Sequence, residues 1–381
     1  MNYFPSYGRD QMEAWLTRFN PEILEREIGF AKGLGLDALR VFLSFDAYLA
    51  SATGFLENVR HFADRCLERG LRVIAVTLDA CGTERPESGE QWLPLREAWE
   101  RAVGCGREAL GLSAAAAHGV EALAGRDLPG DVEVPYAGNP ATIFWQGWRQ
   151  SPGNSRLGES WRPRVRAYLE SLVGTLGGHP AMLAWDVMNE PRLTNAFYLG
   201  AVDVLSFLKW ACQTLAELGP SAPLTVGCIF PEEMGQYDEL TEGALGLLSC
   251  HSYARGEELD RYLERAKGIA QGRGKPWLLT ECGNWEFPVN PRIETDEAQD
   301  AMCADILPRL AKAGMGWLGF HLIMGYGMLP GLALLGPNGT RRPAAQRLAE
   351  WLATHDGRGA TVRTPYAPGK GEAAVPAEGE A

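Results

Sequence analysis

Met182-Leu183-Ala184-Trp185-Asp186-Val187-Met188-Asn189-Glu190-Pro191 reads as an apolar run of strand length that stops on a polar end. A glutamate directly after such a run must be paired, or solvated by a cleft. The run is one of eight: Asn2 to Phe4, Ala38 to Phe45, Arg72 to Leu78, Met182 to Met188, Leu224 to Phe230, Gly246 to Ser252, Trp277 to Thr280 and Gly316 to Ile323. Between them lie helical patterns over Pro21 to Leu34, Phe55 to Arg69, Arg164 to Leu176, Leu199 to Leu218, Leu259 to Gln271 and Asp296 to Ala313, and another follows over Ala344 to Ala353. Short β-branched runs alternating with amphipathic stretches predict a parallel sheet with crossover helices. Eight units closing on themselves give an α/β fold of the (β/α)8 TIM barrel type. A doubly wound open sheet is the competing arrangement, but no glycine-rich phosphate fingerprint follows the first strand.

The connection after the third run, residues 80–163, is far longer than an ordinary βα loop. It contains a helix-like section, Leu93 to Ala124, followed by a stretch rich in proline, glycine and aromatics. Because it follows the C-terminal end of a strand, it is expected over the barrel mouth, where barrel enzymes work. The expected organisation is one catalytic barrel over residues 1–355 carrying that insertion, with a disordered tail over 367–381.

The chain has 381 residues, with 36 Lys plus Arg against 48 Asp plus Glu, a formal charge of −12. An acidic surface repels phosphate, which argues against nucleic acid and anionic membranes as partners. Met1-Asn2-Tyr3-Phe4-Pro5 has no basic or apolar leader, so the expected location is cytoplasmic if Met1 is the natural start, and secreted if a signal peptide has been removed. Eight cysteines, scattered without zinc-ligand spacing, read as reduced and mostly buried thiols. The oligomeric state is left open.

In a barrel, catalytic groups stand at strand C-termini. There the chain offers Arg40, Asp79, Asn189-Glu190, His251-Ser252-Tyr253 and Glu281. One strand-end glutamate alone is more often a helix cap or an ion-pair partner. Two facing each other across a barrel mouth are the arrangement that breaks a glycosidic bond. One must protonate the leaving oxygen while the other attacks or stabilises the oxocarbenium-like carbon. Arg40 and the Tyr253 phenol could hold one of them ionised, while burial keeps the proton on the other; the residues alone do not say which. No His-x-His ends the first strand and no lysine ends the sixth, which argues against metal-dependent amidohydrolase and Schiff-base aldolase chemistry.

Trp185-Asp186-Val187-Met188-Asn189-Glu190-Pro191, His251-Ser252-Tyr253 and Leu279-Thr280-Glu281-Cys282-Gly283, in that order and strand placement, resemble glycoside hydrolase family 5, a clan A family of retaining (β/α)8 enzymes. The resemblance implies that Glu190 is the acid/base and Glu281 the nucleophile. It also implies that Arg40 supports the nucleophile, Asn189 donates to the sugar 2-hydroxyl, and His251 and Tyr253 organise the two carboxylates. No cofactor or metal is implied. The first strand and Arg40-Val41-Phe42-Leu43 look most like the mannosidase and mannanase branches, so the implied partner is a β-linked oligosaccharide, a β-mannoside or related β-1,4-glycan. A wall built by the insertion would favour exo action.

Two features depart from the family pattern. The third strand ends Thr77-Leu78-Asp79-Ala80-Cys81 in place of a histidine, and the eighth offers Phe320-His321 after Gly316-Trp317 in place of a tryptophan near its end. Asp79, His321 and the tryptophans 145, 148, 285 and 317 are the candidate substrate contacts, because a sugar's C–H face stacks on indole rings (Trp145, Trp148, Trp285, Trp317). Three alternatives share the same residues: an endo-acting mannanase or cellulase, a transglycosylase, and a non-catalytic saccharide-binding barrel.

Overall fold

The computed structural model describes residues 1–85, 91–94, 97, 133–136, 148–192, 204–283, 295–314, 316–323 and 332–354. Eight parallel strands follow one another around a single sheet: β1 (Asn2–Tyr3), β2 (Ala38–Phe42), β3 (Arg72–Asp79), β6 (Met182–Asn189), β7 (Leu224–Cys228), β8 (Leu248–Ser252), β9 (Trp277–Cys282) and β10 (Gly316–Gly319). The seam between β10 and β1 is drawn together by Leu322 N–H donating to the Asn2 carbonyl at 3.0 Å, and by Asn2 Nδ2 donating to the carbonyls of Thr280 and Gly319. The result is a (β/α)8 barrel, as the eight apolar runs predict.

The helices that cover the sheet have readable causes. Asn20 caps α1 (Pro21–Gly33), with proline in the first turn; Ser44 caps α2 (Phe45–Ala50), and Ser51 caps α3 (Ala52–Glu68). Along α3 the residues Phe55, Val59, Phe62, Ala63 and Cys66 recur at helical spacing and are all buried against the sheet. α4 (Arg162–Leu176) and α5 (Val204–Leu218) bury similar stripes. α7 (Gly256–Arg273) and α8 (Asp296–Ala313) both end on left-handed glycines, Gly274 and Gly314. α9 (Pro343–Thr354) closes the ring. No described helix is long and apolar enough to cross a membrane.

Some boundaries differ from the sequence reading. The second run ends at Phe42 because Ser44 starts a helix, and the fifth ends at Cys228. A further helix, α6 (Pro231–Leu240), follows the fifth barrel strand. Its polar composition hides it, although Pro231 stands at its start and Glu233 folds back onto the backbone N–H groups of Ile229 and Phe230. Within the insertion, the helix-like section proves to begin in a strand. β4 (Gln91–Pro94) pairs antiparallel with β5 (Glu133–Tyr136), and Leu93 stands opposite Val134. The rest of that section lies outside the described residues apart from Glu97, as does the tail over 367–381.

The returning arm of the insertion is fastened to the end of β3 and to the outgoing arm. Asp79 and Ser151 exchange backbone hydrogen bonds at 2.7 and 2.9 Å, and Thr83 N–H donates to the Trp148 carbonyl at 3.1 Å. Inside the barrel, Ile74, Ala184, Leu247, Leu278 and Leu318 make a small apolar cluster apart from the main core. Ala184 and Asp186 are two residues apart on β6, so both face inward. The interior therefore changes from apolar to charged towards the strand C-termini.

Candidate active site

Arg40 is the centre of that charged layer and is fully buried. Its Nε and Nη2 donate to Asp186 Oδ2 at 3.0 and 2.7 Å. Nη1 donates to Asn2 Oδ1 at 2.8 Å and to Glu281 Oε1 at 2.6 Å, and Nη2 also reaches Asn189 Oδ1 at 2.7 Å. Burial opposes the charge on the guanidinium, but Asp186 and Glu281 outweigh it and raise its pKa, so Arg40 stays cationic. Asp186 is fixed from its other side by Gly227 N–H at 3.0 Å.

Glu281, at the end of β9, has both oxygens occupied: Arg40 holds Oε1, and the Tyr253 hydroxyl donates to Oε2 at 2.7 Å. Burial and the Glu281 charge hold the Tyr253 phenol well above its ordinary pKa, so it remains a donor. Glu190 follows β6 directly. Its φ of 45° is a left-handed conformation that non-glycine residues rarely adopt. Its N–H is fixed on the Gly227 carbonyl at 2.8 Å. His251 Nδ1 stands 2.6 Å from Glu190 Oε1 and 3.6 Å from Glu281 Oε2. Cys81 Sγ donates to Glu190 Oε2 at 3.0 Å. Burial pushes the Glu190 carboxyl up, but the His251 hydrogen bond and charge, the Cys81 thiol and Arg40 outweigh it and bring it below its usual range.

The two carboxyl groups are close. One oxygen from each and a ring nitrogen of His251 lie within 4.8 Å of one another. Both glutamates keep slight exposure, with the Glu190 side chain 12% and the Glu281 side chain 6% accessible, so a ligand entering the mouth meets them.

The structure thus brings Arg40, Asn189, Glu190, His251, Tyr253 and Glu281 into one cluster. The candidate substrate contacts fall differently. Asp79 is buried: its Oδ1 accepts from Cys81 N–H and Asn189 Nδ2, and its Oδ2 accepts from Trp148 Nε1 at 2.6 Å. Burial pushes its carboxyl up to about 8 against those three donors. Trp148 is also buried, its ring edge-on to Phe42 at 4.5 Å and near Phe4 and Phe320. His321 is buried with its ring 5.3 Å from that of Phe320. Trp317 stands in β10 opposite Leu279, and Trp145 and Trp285 lie outside the described residues.

Four members of the cluster were not singled out from sequence. Asn2 and Asp186 complete the bonding of Arg40, and Cys81 reaches Glu190. Gly227 has no side chain because none fits: a Cβ there would stand 2.8 Å from His251 Nε2 and 2.9 Å from Arg40 Nη2. One signal was available in the sequence: an arginine in the middle of an apolar strand needs a carboxylate partner, and Asp186 is the charge inside another such strand.

No protein-family model and no curated protein matches the sequence. Solved structures do match. The exo-β-1,4-mannosidase of an Opitutaceae bacterium aligns with TM-score 0.60 and 14% identity over 94% of this chain. The (β/α)8 fold is shared with solved structures of family 5 glycoside hydrolases. The GH5_18 protein of Streptomyces cattleya in complex with Manβ1-4GlcNAc aligns with TM-score 0.58 and 16% identity, covering 96% of this chain and 81% of that one. The family 5 mannosidase of Rhizomucor miehei gives TM-score 0.52 and 13% identity over 92% and 91% of the two chains. The chain spans 59% of the length of the Opitutaceae enzyme.

Proposed function

We propose that this chain is a retaining β-glycoside hydrolase of family 5 whose substrates are short β-mannosides. The observation that carries the reading is the pair Glu190 and Glu281, with one oxygen of each carboxylate within 4.8 Å of one of the other's and with unlike surroundings. A separation of roughly 5 Å suits direct attack by one carboxylate, whereas inversion needs roughly 6.5–9.5 Å to admit a water.

Glu281 is the nucleophile. Arg40 and the Tyr253 hydroxyl hold its two oxygens in place, and its carboxylate forms a bond to the anomeric carbon as the bond to the leaving oxygen breaks. Glu190 supplies the proton that the leaving oxygen takes. With the leaving group gone, the Glu190 carboxylate takes a proton from water, and the hydroxide attacks the anomeric carbon. Glu281 is released as carboxylate, and the sugar leaves with its starting configuration.

The mannoside reading is supported by the kinds of protein with this fold, which include exo-mannosidases, mannanases and a protein bound to Manβ1-4GlcNAc. In this reading residues 1–355 form the catalytic barrel, and the 80–163 insertion stands over its mouth and favours exo action on short oligosaccharides. The test is a screen of 4-nitrophenyl β-mannoside, β-glucoside, β-xyloside and β-galactoside beside manno- and cello-oligosaccharides, with Glu281→Ala as control. Turnover on the mannoside that disappears in the variant supports the reading. Cleavage of long oligomers alone would make the protein endo-acting, and binding without any turnover would leave a saccharide-binding barrel.

A further inference from the structure

A directed chain of hydrogen bonds runs from Arg40 to Glu190. Arginine carries only donors, so the Arg40 Nη2 contact at 2.7 Å fixes the oxygen end of the Asn189 amide towards it. The Asn189 nitrogen is thereby turned away, 3.1 Å from Asp79 Oδ1 and 3.2 Å from Cys81 Sγ. Because Sγ receives that N–H, its single proton is left to point at Glu190 Oε2, 3.0 Å away. The thiol is held from both sides. Cys81 N–H donates to Asp79 Oδ1 at 2.8 Å, and the next residue, Gly82, has φ 95° and a position where a Cβ would collide with the Trp148 carbonyl. Burial and the Glu190 charge keep the proton on sulfur. His251 stands at the other oxygen, Oε1.

We infer that Cys81 is a positioning residue for Glu190: its S–H fixes Oε2 and favours the ionised carboxylate that activates water in the second half of the reaction. The assignment rests on the reading of Glu190 as the acid/base. It gives the end of the third barrel strand a role, where the sequence departs from the family pattern. Through Asn189, the one guanidinium that holds Glu281 also orients the donor on Glu190.

The test is the pH dependence of kcat/KM on a β-mannoside with a poor leaving group, for the parent chain, Cys81→Ala and Cys81→Ser. Loss of a donor to a carboxylate raises its pKa, so Cys81→Ala is expected to move the alkaline limb upward by about half to one pH unit. Cys81→Ser, which keeps a donor, is expected to return the limb to the parent position. An unmoved limb in Cys81→Ala, or equal displacement in both variants, overturns the inference. If Cys81→Ala does not fold, the infrared S–H stretch of the parent chain, assigned by subtracting Cys81→Ser, decides. A shift to lower frequency as Glu190 ionises supports the thiol contact, and an invariant band overturns it. Glu190→Ala separates the two levels of the argument. If its losses do not depend on leaving group, the acid/base reading falls and this inference with it. If they do, while Cys81→Ala leaves the limb unmoved, only the thiol assignment falls.

Discussion

Arg40 Nη1 stands 2.6 Å from Glu281 Oε1, and the same guanidinium neutralises Asp186 at 2.7 Å, with all three side chains buried or nearly so. A buried cation shared by two carboxylates cannot be removed without leaving two uncompensated charges. Arg40→Ala is expected to destabilise the fold by about 3–5 kcal/mol and to abolish turnover. Arg40→Lys is expected to recover part of the stability but little activity, because one ammonium cannot span Asp186, Asn2, Asn189 and Glu281 together. Denaturant melts of both variants beside their kcat/KM values check this; a stable, active Arg40→Lys would contradict it.

The pH profile follows from the surroundings of Glu190. Burial pushes its carboxyl up, but the His251 hydrogen bond and charge, Cys81 and Arg40 outweigh that and set it below the ordinary glutamate range. As the acid, Glu190 works only while protonated, so a depressed pKa means that activity is lost as pH rises through the acidic range. The expected profile of kcat/KM on poor leaving groups has its optimum on the acidic side of neutrality. His251→Gln is expected to move the alkaline limb upward. An alkaline optimum in the parent chain would contradict the account.

Gly227 offers a test of packing around the charged layer. Gly227→Ala would put a methyl group 2.8 Å from His251 Nε2, 2.9 Å from Arg40 Nη2 and 3.1 Å from Asp186 Oδ2. The neighbours cannot retreat without breaking the bonds just described, so about 1–3 kcal/mol of destabilisation is expected. The chain should still fold, with kcat reduced far more than KM is raised. Parent-like kcat would show that the layer is looser than the distances indicate.

Much of this was legible in the sequence, for identifiable reasons. Glu190 and Glu281 stand out because each ends an apolar run, where a charge has no structural excuse without a partner or a cleft. Asp186 did not stand out, because barrel strands are buried on both faces and the period-two alternation that would mark an inward residue is absent. Gly227 and Cys81 carry no charge, and their roles come from neighbours on other strands. Helix α6 was hidden by its polar composition. Asp79 and Trp148 looked like mouth residues from their positions; folding turns them onto one another and fastens the insertion to β3.

The leaving group separates the two glutamates. Glu190→Ala is expected to lose roughly 10²–10⁴-fold on β-mannosides with poor leaving groups while sparing glycosylation by activated aryl mannosides, since only the former need a proton. Glu281→Ala is expected to lose both. Steady-state rates across a series of aryl leaving groups measure the difference, and a flat dependence in Glu190→Ala would remove its assignment as the acid.

The central claim is that Glu281 forms a covalent bond to the sugar. Incubation with a 2-deoxy-2-fluoro-β-mannosyl fluoride, followed by peptide mass mapping, tests it directly. The account predicts inactivation with one fluoromannosyl group attached, carried by the peptide containing Glu281 and absent in Glu281→Ala. A label on any other residue, or turnover of β-mannosides with inverted product and no label, would contradict it.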